Sequence, residues 1–138
     1  MRDPGDRRVG LLAEGVLDAH GAVVDLVLER DDLPEDARRF GLVTIDVSFI
    51  SLGHIFPALP PLIAPGGRVV ALVKPQFEAG RDDVGRGGIV RDPAVHARVI
   101  DEVTAAAAAV GLKRLGLEPS PIEGAEGNRE FLLCLALV

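Results

Sequence analysis

"LVTIDVSFISLGHIFPALPPLIAPGGRVVALV" occupies residues 42–73, and its two valine- and isoleucine-rich runs, separated by a segment of helical spacing, decide the fold class. "LVTIDVSF" (42–49) predicts a buried strand. In "SLGHIFPALPPLI" (51–63), Leu52, Ile55, Phe56, Leu59, Leu62 and Ile63 recur at spacings of three and four, which predicts a short helix that Pro57, Pro60 and Pro61 cut or kink. "PGG" (65–67) marks a turn, and "RVVALV" (68–73) lacks polar alternation, the pattern of a strand covered on both faces. Strand, helical segment and strand in this order form a βαβ unit, the building block of an α/β fold.

The rest of the chain extends that unit. "DPAVHARVIDEVTAAAAAVG" (92–111) predicts a helix with Asp92 as N-cap, Pro93 at the first helical position and Gly111 closing it. The alanines at 105–109 are strong helix formers with small side chains that let a helix pack closely on a sheet. "LKRLGLEPSPI" (112–122) predicts a third strand and "REFLLCLALV" (129–138) a last one; "GAEGN" (124–128) between them is too short for a crossover helix, so the pair is expected to be antiparallel. Residues 1–40 are harder to parse: "VVDLVLE" (23–29) reads as a strand or a helical turn, and "RDDLPEDARRFG" (30–41) as a polar surface connection. The expected whole is a three-layer α/β fold.

Composition excludes several function classes. At 138 residues and 48% hydrophobic the chain can bury one ordinary core, and it has no apolar run long enough to span a bilayer. The charged opening "MRDPGDRRVG" does not resemble a secretory signal and Cys134 is the single cysteine, so a cytoplasmic location is expected. A net charge of −6 opposes general attraction to nucleic acid unless arginines gather locally, and the absence of Trp and Tyr leaves few stacking platforms. His20, His54 and His96 show no ligand spacing with one another or with Cys134, so no metal is expected; His96 reads as a helix-surface residue.

In open α/β sheets ligands bind beyond the carboxyl ends of the parallel strands. Asp46 closes the first secure strand, Lys74 follows the second, and Glu130 begins the last, which runs the opposite way and therefore starts at the same sheet edge. Only Lys74 and Lys113 are lysines among the 15 basic residues, and a lysine, unlike an arginine, can give up its proton. Two readings follow from spacing: Lys74 as a base among carboxylates, or Lys74 as a structural ion-pair partner of Asp46 or Glu130.

"DVSFISL" (46–52), "VKPQFEAGRDDVGRGGIVRDP" (73–93) and "SPIEGAEGNREFLL" (120–133) together resemble the C-terminal half of the TlyA family, haemolysin-A-like proteins related to the FtsJ group that methylate ribosomal RNA at ribose 2′-hydroxyls with S-adenosylmethionine. The resemblance implies a Rossmann-like class I methyltransferase fold, present in part. On this view residues 1–40 are a divergent or truncated N-terminal part of the methyltransferase domain and residues 41–138 its C-terminal half. Carried over by motif, the family's Lys-Asp-Lys-Glu catalytic set implies Asp46, Lys74 and Glu130; its first lysine has no counterpart, since Lys113 lies in a different segment. The resemblance also implies that Ser48 and Phe49 line the cofactor pocket, although a phenylalanine after a buried strand is often core. It makes Arg81, Arg86 and Arg91 candidates to clamp phosphates of ribosomal RNA or ribosomal subunits, partly offset by Glu78, Asp82 and Asp83.

Two family features are not found. Nothing reproduces the glycine-rich turn where backbone approaches the cofactor; "VLDAHGAVVDLVLER" (16–30) echoes it faintly, with Asp18 and Gly21 in suggestive places. No counterpart of the family's S4-like RNA-binding domain is expected in these residues. The expectation is therefore a truncated methyltransferase with weak cofactor binding alone. The alternative is a non-catalytic remnant that serves as a binding or assembly module and forms homo-oligomers through an exposed sheet edge.

Overall fold

The computed structural model describes residues 39–138. The readings of 16–30, and of the polar connection as far as 38, lie outside these residues. Strand β1 (Phe40–Ile45) runs parallel to β2 (Ile63–Val73). Strand β4 (Phe131–Leu137) is inserted antiparallel between β2 and β3 (Leu112–Pro119), giving the order β1-β2-β4-β3. The expected antiparallel pairing of the last two strands is present, and the mixed sheet is Rossmann-like. Both early strands begin sooner than their apolar runs suggested. Phe40 pairs with Ile63 before the register shifts to Leu42 opposite Arg68, so "APGG" is the irregular start of β2 and not a free turn.

Between β1 and β2 the expected helix is replaced by three consecutive 3-10 turns, Leu52–His54, Phe56–Ala58 and Pro60–Leu62. The prolines explain the change: each lacks the N–H that an α-helix would use, whereas a single 3-10 turn can begin on a proline without losing a bond. The apolar spacing still delivers Leu52, Ile55, Phe56, Leu59 and Leu62 into the core.

After β2 comes one short turn, α1 (Pro75–Glu78), and then the long helix α2 (Pro93–Ala109). Asp92 caps α2 by accepting the Ala94 N–H at 2.9 Å, and Gly111 adopts φ 83°, the left-handed conformation that ends helices at little cost to glycine. Val95, His96, Val99, Ile100, Val103 and Ala107 form its buried face and join Val69, Ala71, Val73, Leu133 and Leu135 of the sheet in one core. On the opposite sheet face Val70, Leu72, Leu132, Cys134 and Ala136 are only half-buried, so among the described residues full cover lies on one face. No described helix is long and apolar enough to cross a membrane.

Candidate active site

The carboxyl ends of β1 and β2 and the start of β4 meet at one edge, as strand order and direction require, since Val73 pairs with Phe131. Just beyond β1 lies Asp46, just beyond β2 lies Lys74, and just before β4 lies Glu130. Lys74 Nζ is 2.6 Å from Asp46 Oδ1 and donates to Ser48 Oγ at 3.2 Å. The lysine side chain is 14% exposed and the aspartate 67%, so the pair stands at the rim, with the ammonium largely shielded and its partner in solvent. Lys74 has three donors. Two are satisfied, and the third has no partner among the described residues.

Glu130, just before β4 at the same edge, takes a different partner. It forms no ion pair with Lys74; its carboxylate is buried and accepts from Gln76 Nε2 at 2.9 Å. A buried carboxylate needs such a donor. Its seat has no room to spare, because a Cβ at Gly124 would overlap the Glu130 carboxyl group. Sequence reasoning missed both Gln76 and Gly124, although each lies inside a motif that it singled out.

Phe49 is not core. It is 81% exposed, adopts φ 62°, and packs its ring on Phe77 with centroids 4.7 Å apart. A non-glycine residue held in the left-handed region costs on the order of 1–3 kcal/mol, and such strain concentrates at functional sites. Ser48, expected beside the cofactor, has its hydroxyl engaged by Lys74.

Glu78 does not offset the arginines as expected. It reaches back to the 51–54 turn, where Ser51 Oγ donates to Oε2 at 2.7 Å and the Leu52 N–H donates to Oε1 at 2.8 Å. Burial raises its pKa above the ordinary 4.5, against the lowering effect of these two bonds. Asp83 is likewise engaged, with Arg98 at 2.5 Å. Arg81, Arg86 and Arg91 are all exposed on the loop that follows α1. That loop is pinned at Val90, whose N–H donates to Asn128 Oδ1 at 3.0 Å and whose carbonyl accepts from His96 Nε2 at 2.8 Å. His96 is therefore not a surface residue: it is buried, edge-on to Phe131. The sequence carried the signal, because position 96 shares the helical face of Val99, Ile100 and Val103. Among the described residues no cluster of His, Cys, Asp and Glu could hold a metal.

A mixed Rossmann-like sheet with a lysine–acid pair at its carboxyl edge belongs with the methyltransferase class of folds, and comparison with known proteins agrees. The family model for FtsJ-like methyltransferases matches residues 11–137, and the chain belongs to that family. It is 59% identical over 92 residues to YqxC of Bacillus subtilis, covering 67% of this chain and 33% of YqxC. It is 43% identical over 97 residues to TlyA of Mycobacterium tuberculosis, a 16S/23S rRNA (cytidine-2′-O)-methyltransferase, covering 70% of this chain and 36% of that protein. A solved structure named as a hemolysin from Lactococcus lactis superposes with a TM-score of 0.70 at 48% identity, over 76% of this chain and 49% of that one. The chain thus spans about a third of the length of these curated relatives.

Proposed function

We propose that the chain serves S-adenosylmethionine-dependent 2′-O-methylation of ribosomal RNA and contributes the edge that receives the ribose hydroxyl. The observation that carries this reading is the Lys74–Asp46 pair at 2.6 Å on the edge that also holds Glu130, in a chain of the FtsJ-like family. A hydroxyl is a poor nucleophile until its proton is removed or its developing charge is balanced. Lys74 is the group suited to either role, because Asp46 and Ser48 fix two of its donors and leave the third direction for the substrate oxygen. Glu130 holds the ribose from the far side. The exposed arginines at 81, 86 and 91 meet phosphates, which position the RNA without reading its sequence.

For the cofactor, the described residues fit one flank. Phe49, next in sequence to the Ser48 that Lys74 engages, presents an exposed ring suitable for stacking on a base. A glycine-rich turn is not among them. S-adenosylmethionine supplies an activated methyl group when bound; positioning and deprotonating the hydroxyl fall to the protein.

The test is transfer of labelled methyl from S-adenosylmethionine to ribosomal subunits, with the product nucleoside identified by mass spectrometry. A 2′-O-methylnucleoside supports the reading, and a base-methylated product overturns it. Calorimetric titration tests the expectation that the chain alone binds the cofactor weakly or not at all. Low micromolar affinity, about −8 kcal/mol, would show that 16–30 forms a working site. Absence of both binding and transfer, with retained affinity for ribosomal RNA, would favour the assembly-module reading.

A further inference from the structure

We propose that Gln76 is a positioning residue of this site, whose amide turns the Glu130 carboxylate so that one oxygen faces the protein and the other faces the substrate edge. The inference rests on the reading of Glu130 as substrate-facing. Gln76 Nε2 donates to Glu130 Oε2 at 2.9 Å across 54 residues of sequence. Among the described residues Glu130 Oε1 has no hydrogen-bond partner, so in this buried carboxylate it is the oxygen left to accept from a hydroxyl.

The orientation of the amide is set by this one bond. Gln76 Oε1 is itself buried with no partner among the described residues. Flipping the amide would aim that oxygen at the carboxylate and orphan the nitrogen instead, so Gln76 is held with its donor toward Glu130 and its acceptor unsatisfied. An arrangement that leaves one buried atom unpaired in order to aim a carboxylate serves the carboxylate. Two further features lock it. Gly124 backs the carboxyl group so closely that no side chain fits there, and the Ser120 N–H donates to the Glu130 carbonyl at 2.8 Å, fixing the backbone beneath. Gln76 also shares a short rigid turn with Lys74: Pro75 follows the lysine, and the Phe77 N–H donates to the Lys74 carbonyl at 3.0 Å. One turn therefore carries both the lysine and, through the Gln76 amide, the hold on the glutamate.

The test compares Gln76→Leu, which removes the donor at similar volume, with the exchange Gln76→Glu/Glu130→Gln, which restores a donor–acceptor pair with the roles reversed. In the chain labelled with carbon-13, the Glu130 side-chain carboxyl resonance, assigned by its loss in Glu130→Gln, is expected to move in Gln76→Leu while the backbone amide spectrum away from the site stays in place. An unmoved resonance overturns the proposal. In the methyl-transfer assay, kcat is expected to fall about tenfold to a hundredfold, as misplaced groups do, with KM for S-adenosylmethionine nearly unchanged. Transfer at the wild-type rate by Gln76→Leu also overturns it. The exchange variant is expected to regain the wild-type amide spectrum but not the rate, since an amide now faces the substrate; recovery of the full rate would count against the orienting role. If the unsubstituted protein transfers no methyl group, the reading of function fails and the carboxyl resonance alone decides whether Gln76 orients Glu130.

Discussion

At Gly124 the requirement is for the absence of a side chain, and the reason is the carboxyl group of Glu130 behind it. Gly124→Ala is expected to push that carboxyl out of its seat and to cost about 1–3 kcal/mol, the usual range for overpacking. Denaturant unfolding checks this, with Gly80→Ala as the control: Gly80 has φ −66° and open space around it, so alanine there should be neutral or slightly stabilising. Equal losses at the two positions would contradict the tight seat assigned to Glu130. Asp46, Lys74 and Glu130 could be placed on one edge from the sequence because strand order and direction determine where strand ends fall. The partition among them could not. That Lys74 pairs with Asp46 while Glu130 turns to Gln76 depends on side-chain reach between segments far apart in sequence, and no periodicity encodes it.

Elements here are held to one another by a few buried polar side chains. Asn128 and His96 satisfy both backbone groups of the buried Val90 and so anchor the arginine-bearing loop. Asn128→Ala leaves a buried N–H without its acceptor and is expected to destabilise by about 1–3 kcal/mol; hydrogen exchange should show residues 85–91 losing protection first. Turn α1 is tied to the 51–54 turn by Glu78. A carboxyl whose folded-state pKa lies above its unfolded value binds more protons when folded, so its contribution to stability declines as pH rises from 4.5 through the folded pKa. Unfolding free energies of the wild type and Glu78→Gln, measured across that interval, should therefore converge at the acid end, with the wild type losing stability relative to the variant as pH rises. The opposite slope would contradict the burial argument. Helix α2 was legible to within two residues of each end because its cap, proline and closing glycine are local signals. The 51–63 segment was misjudged because apolar spacing reports burial, while three prolines choose between α and 3-10 geometry.

For the whole molecule, the central question is what lies against β1. Strand β1 is an edge of the sheet among the described residues, with Leu42 61% exposed on it. An exposed edge invites pairing with another chain. Concentration-dependent self-association is expected in sedimentation velocity, and Leu42→Lys should suppress it; a monomer at every concentration would contradict this expectation. The fold class was readable from 42–73 alone, since a parallel pair with a connecting segment admits few arrangements. The cofactor side was not, because the one stretch that echoes a glycine-rich turn, 16–30, carries a single glycine. The proposed chemistry converges on Lys74, and the most direct measurement is methyl transfer to ribosomal subunits by Lys74→Arg against wild type, in the chain and in the chain extended at its N terminus with the corresponding part of YqxC. Arginine keeps the charge and the bridge to Asp46 but does not release its proton. With folding unchanged by circular dichroism, the rate is expected to fall by about 10²–10⁴, the contribution of a positioned base; transfer by the arginine variant at the wild-type rate would show that Lys74 supplies charge alone and would contradict its role in taking the proton.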